Sequence, residues 1–134
     1  MKEDIAVPEV TNVMVAVVPR TQGGEDDLWD IYVINEMDEP MENVLITSQG
    51  YGILNGRDKT TTVLRHFHQI IPPMGSLKIE PIQPELFGIQ NEYWVSFNAG
   101  GSMLDKKFIF PAGSINEEQL RTVPVLNQPG VVVV

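Results

Sequence analysis

The sequence predicts an all-β sandwich of about seven strands in a single domain spanning residues 1–134. Three observations carry this. Apolar residues alternate with polar ones at period two along most of the chain. The runs are separated by residues with turn chemistry. Helix signals are confined to one short stretch near the C-terminus. At 43% hydrophobic and 134 residues, the chain can bury one ordinary core without covalent staples. It has no cysteine, which excludes disulfides, thiolate–zinc sites and thiol nucleophiles.

The core strands are expected over about residues 11–111. In NVMVAVVP, Val13, Val15 and Val17 share a face. In LWDIYVIN, Trp29, Ile31 and Val33 face inward while Asp30 and Tyr32 face outward. In NVLITSQ, Val44 and Ile46 alternate with Leu45 and Thr47. The stretch TVLRHFHQIIPP reads as a strand stopped by Pro72-Pro73. In SLKIEPI, Leu77 and Ile79 alternate with Lys78 and Glu80. In EYWVSFN, Tyr93, Val95 and Phe97 point inward, which turns Trp94 outward. In KKFIFP, Phe108 and Phe110 flank Ile109. Between the strands, Gly23-Gly24, Asp38-Glu39-Pro40, Asn55-Gly56 and Ala99-Gly100-Gly101-Ser102 provide turns. Asn-Gly suits a type I′ hairpin, whose two central residues both take positive φ. Ser114-Ile115-Asn116-Glu117 fits a capping box with Ser114 as N-cap, predicting a short helix over about residues 115–121. The segment 124–134 ends in four valines. It reads as a last strand on a sheet edge, or as a tail that pairs with the same tail of a second subunit.

Charge narrows the classes of function. The chain carries a formal −9, and between Arg20 and Arg57 there is no lysine or arginine. That interval holds Glu25, Asp26, Asp27, Asp30, Glu36, Asp38, Glu39 and Glu42. A surface of this sign repels phosphate backbones and anionic lipid, so neither nucleic acid nor a membrane is an expected partner. No apolar run approaches the ~18 residues of a membrane span. The start, MKEDIAVPEV, lacks the apolar core of a leader. With the missing cysteine, this makes a cytoplasmic location the expectation.

Few residues offer chemistry. His66 and His68 are the only histidines and stand two apart, so a strand projects both imidazoles on one face. That is the arrangement of two ligands to zinc, nickel or copper, but a metal site needs a fuller set. The alternative is a half-exposed strand whose histidines meet water or a carboxylate. Their face also carries Leu64 and Ile70. The acids of NEMDEPMEN do not follow a calcium-loop pattern and suit a solvated connection. SQGYGILNG lacks the sequence of a phosphate loop, and Gly50 and Gly52 suit a bend or bulge that leaves Tyr51 exposed. No G-x-S-x-G elbow is present, and no catalytic residue or cofactor is assigned. Tyr51, Trp94, Asp38 and Glu39 are the candidate interaction residues.

The run WDIYVINEMDEPMENVLITSQGYG resembles the strand–loop–strand of many immunoglobulin-like sandwiches, and the fold expected is of immunoglobulin or fibronectin type. TTTVLRHF, NEYWVSF and DKKFIFP together resemble a small family of uncharacterised bacterial proteins, some of which carry a phenylalanyl-tRNA synthetase label. A synthetase catalytic domain is a much longer α/β chain with arginines that grip ATP. Here Arg20, Arg57, Arg65 and Arg121 lie in no such motif. The expected function is therefore a non-enzymatic binding or protein-interaction domain, with a homodimer through an edge strand or the terminal valines as the expected assembly. Metal binding at His66 and His68 is the alternative, and a synthetase-labelled protein without a synthetase catalytic domain is a further one.

Overall fold

The computed structural model describes residues 9–20 and 27–134; the Gly23-Gly24 turn and the first eight residues lie outside them. The described residues form ten strands: β1 (Val13–Pro19), β2 (Trp29–Asn35), β3 (Met41–Leu54), β4 (Arg57–Thr60), β5 (Leu64–Ile71), β6 (Gly75–Ile82), β7 (Gln90–Ala99), β8 (Ser102–Phe110), β9 (Arg121–Thr122) and β10 (Pro129–Val133). They build two antiparallel sheets. One has the order β6-β2-β1-β10-β9. The other has the order β4-β3-β7-β8, with β5 also paired to β3. The two five-stranded sheets pack as a sandwich, with the first, second and sixth strands in one and the third, seventh and eighth in the other. Among the described residues no helix is long and apolar enough to cross a membrane.

The core follows the alternation. Val13, Val15, Val17, Ile31 and Val33 from the first sheet meet Val44, Ile46, Tyr93, Val95, Phe97, Phe108 and Phe110 from the second. Trp29 packs edge-on against Phe87 at a centroid distance of 5.0 Å. β1 departs from alternation, since Met14, Ala16 and Val18 on its opposite face are buried as well. Val123, Val125 and Leu126 of the C-terminal segment cover that face, forming a second small core with Ile34 and Tyr32. β1 is therefore flanked by strands on both edges and packed on both faces, which is why its sequence reads as a near-continuous apolar run.

Three strands are added to the seven of the alternating runs: β4 and β9, which are short, and β10 from the C-terminal segment. The β3–β4 hairpin turns on Asn55 and Gly56, at φ 54° and 76°, and the β7–β8 hairpin on Gly100 and Gly101, at φ 56° and 81°. These are the positive-φ pairs that two-residue hairpins require. β4 and β5 follow one edge of the long β3 in succession. Thr61 marks the handover: Gly50 N donates to its Oγ1 at 2.7 Å, and Thr61 N donates to Gly50 O at 2.8 Å. Gly50 and Gly52 sit inside β3, and a Cβ on Gly50 would stand 2.8 Å from Asn91 Oδ1. They admit a close neighbour; they do not end the strand.

Two expectations are corrected, and a choice between two readings is made. The predicted helix over 115–121 is a 3-10 turn at Glu117–Gln119, capped by Asn116, whose Oδ1 accepts from the backbone of Glu118 and Gln119. Ser114 instead donates to Pro111 O at 2.7 Å. A single turn suffices because the chain must re-enter β9 at Arg121. Ile70 is exposed and Ile71 buried, so the inner face of β5 does not run through Ile70. The parity slips beside Asn43, whose φ of 50° bulges β3 at that end. Of the two readings of the terminal valines, the last strand is the one found: they form β10, with Val131, Val132 and Val133 opposite Val17, Ala16 and Val15.

Candidate functional site

Two surfaces stand out. The first is the outer face of β5-β3-β7-β8. Strand register places Phe67 opposite Leu45, and Thr47 opposite Trp94. On the far side Trp94 is opposite Lys107, and Glu92 opposite Ile109. Phe67, Leu45, Trp94 and Ile109 therefore form a diagonal across four strands, each step a direct or diagonal cross-strand neighbour. All four are exposed, at 61%, 42%, 47% and 38%. Single exposed apolar residues are ordinary, whereas a contiguous series on one sheet face marks an interaction surface.

Polar neighbours hold parts of this diagonal in place. The Lys107 ammonium lies 5.0 Å from the Trp94 ring centroid, and Trp94 Nε1 approaches Asp105 Oδ2 at 3.4 Å. Lys107 Nζ also reaches Glu92 Oε1 at 3.3 Å. Glu92 is held below the ordinary carboxylate range, first by the hydrogen bond from the Tyr51 hydroxyl and then by Lys107, against the opposing effect of partial burial. The same bond raises the Tyr51 phenol above its usual value. Gln90 Nε2 donates to Tyr51 Oη at 2.6 Å and to Glu92 Oε2 at 3.3 Å. Tyr51 and Trp94 are thus joined on one face through Glu92 and Lys107. Asp38 and Glu39 are exposed in the β2–β3 connection, at the end of β3 remote from Tyr51, and do not join them.

The second surface is a cleft of about 380 Å³ where the edges of the two sheets face each other. Its apolar walls include Leu28, Leu64, Ile82 and Leu86, and Ser48, Glu80, Asn91 and Tyr93 supply its polar groups. Glu80 comes from β6, and its side chain is 13% exposed. Its Oε1 accepts from Ser48 Oγ at 3.0 Å and lies 2.7 Å from His66 Nε2. Burial, and then the charge of Glu80, push the Tyr93 phenol above its usual value. The serine and the histidine both address the carboxylate and not each other, so the group lacks the relay of a nucleophilic triad.

His66 and His68 lie opposite Ile46 and Val44, the inward positions of β3, so both rings project toward the interior side as their spacing predicts. What faces His66 is Glu80. Among the described residues, no group of three or more His, Asp or Glu side chains is placed to hold a metal ion. Sequence reasoning passed over Glu80, one acid among many, because its partners lie far away in the chain. It also passed over Phe67, Leu45 and Ile109 as surface residues, although each is an apolar residue at the solvent-side position of an alternating strand.

No family model, no curated protein and no solved structure matches the chain.

Proposed function

We propose that the chain is a non-enzymatic interaction domain that associates with a second copy of itself through the outer face of β5-β3-β7-β8. The observation that carries this reading is the exposed diagonal Phe67–Leu45–Trp94–Ile109. Large apolar residues ringed by charge resemble the centre and rim of protein interfaces. Charge favours a second copy as the occupant. The chain as a whole carries −9, but around the diagonal Arg65 and Lys107 stand against Glu92 and Asp105. This face is thus balanced where two copies would otherwise repel. The resemblance to a small bacterial family with an immunoglobulin-like sandwich agrees with a binding role and names no chemistry.

Sedimentation equilibrium of the wild type and of a Leu45→Asp/Phe67→Asp variant tests the proposal. A concentration-dependent dimer is expected for the wild type, with the variant monomeric and equally well folded. A monomeric wild type, or a variant that dimerises equally well, overturns it. The first outcome would leave the face to a different protein.

A further inference from the structure

The cleft at the open edge of the sandwich raises a separate question. Its acid, Glu80, is largely withdrawn from water; so is Asp30 on β2, which lies outside the cleft, and the two are treated differently. Asp30 is paired with permanent cations: Arg20 Nη2 donates to Oδ1 at 2.9 Å and Nε to Oδ2 at 3.1 Å, with Lys78 Nζ at 3.9 Å. Glu80 has no lysine or arginine partner among the described residues, and none lines the cleft. It holds one neutral hydroxyl, from Ser48, and one imidazole, from His66, which is charged only when protonated. A carboxylate so placed is acceptor-only, and a withdrawn charge without a fixed counter-ion is costly. Beside it the walls are apolar and the space suffices for a small ligand.

From this contrast we infer that the cleft is a binding site for a primary ammonium group on an apolar stem. The ammonium is placed on Glu80, and the stem lies along Leu64, Ile82 and Leu86. An anion is repelled by the same carboxylate, and a neutral alcohol gains the walls but not the charge-assisted bond. The site is independent of the outer face, since its polar groups point between the sheets. Ser48 orients the carboxylate, and His66 competes with the ligand for Oε1.

Isothermal titration of the full chain with hexylammonium, hexanol and hexanoate tests this, with Nα-acetyl-lysine amide as a stand-in for the lysine side chain of a polypeptide. Hexylammonium or the lysine amide is expected to bind at least about tenfold more tightly than hexanol, with no binding of hexanoate. The stronger of the two cations identifies a free amine or a protein lysine as the source. Glu80→Gln should abolish the preference for the cation. His66→Ala frees Oε1 and should strengthen cation binding, which keeps the inference open to refutation if Glu80→Gln does not fold. Equal affinity for hexanol and hexylammonium, failure of both cations to bind, or cation affinity unchanged in either variant would overturn it.

Discussion

His66 Nε2 lies 2.7 Å from Glu80 Oε1, and this contact joins β5 at the edge of one sheet to β6 at the edge of the other. Most of the contact between the sheets is apolar packing. Here they meet through a polar link to which Ser48 adds a second bond from β3. Ser48→Ala removes a donor from a largely buried carboxylate while leaving the charge in place. The expected loss is about 1–2 kcal/mol in urea unfolding at neutral pH. An unchanged midpoint would show that water replaces the hydroxyl.

Asn35 should be the most sensitive polar residue of the chain. It is fully buried at the end of β2. Its Nδ2 donates to Glu39 O, Ile71 O and Pro72 O at 3.0–3.1 Å, and its Oδ1 accepts from Met37 N at 2.9 Å. One amide thereby ties the β2–β3 connection to the turn that leads from β5 to β6. Asn35→Ala leaves these backbone groups without that partner, and the expected cost is about 2–4 kcal/mol. Asn35→Asp should also destabilise, because the carboxylate cannot donate to three carbonyls; thermal melts of both variants check this.

Trp94→Ala should separate stability from association. The ring is half exposed, so its loss costs less than about 1 kcal/mol, including its contact with the Lys107 ammonium. If the outer face is the contact surface, the same change weakens self-association at the centre of the diagonal. Paired melting and sedimentation measurements read the two effects independently.

Glu92 supplies a pH dependence whose sign can be worked out. Its folded-state pKa is lowered, chiefly by the Tyr51 hydroxyl. Its contribution to stability is therefore fully present above the unfolded carboxylate value and is lost as pH falls through the lower folded value. Tyr51→Phe should move the Glu92 titration upward in carboxyl-detected NMR and reduce this acid-limb contribution. A titration left in place would reassign the effect to Lys107.

Cutting the chain after Gln128 should destabilise it by several kcal/mol, or about 1.5–3 kcal/mol for each well-buried valine removed. The truncation takes away β10, uncovers the edge of β1 and opens one side of the second core. A truncated chain that melts with the full one would mean that β1 needs no partner on that edge.

The strands, the hairpins at Asn55-Gly56 and Gly100-Gly101, and the outward turn of Trp94 were legible because each depends on neighbours in sequence. Alternation assigns faces, and positive φ selects its residues. The pairing of Glu80 with His66 and Ser48 was not legible, since it depends on which edges of two separate sheets come together. The Ile70–Ile71 reversal was hidden for a related reason: β5 stays in register with β3, and β3 itself slips beside Asn43, where its pairing with β7 shifts. The capping-box pattern points to Ser114, but its hydroxyl is taken by Pro111 O, and Asn116 caps the turn instead.

The pairing of β10 with β1 sets the order in which the fold can be completed. Val15 meets Val133, so the first strand of the sheet waits for the last. Contacts of such high sequence separation slow folding, because loop closure comes before the gain from pairing. On the ribosome, β1 to β8 emerge while the edge of β1 and its outer apolar face still lack their cover. That interval is when the nascent chain is most open to mispairing.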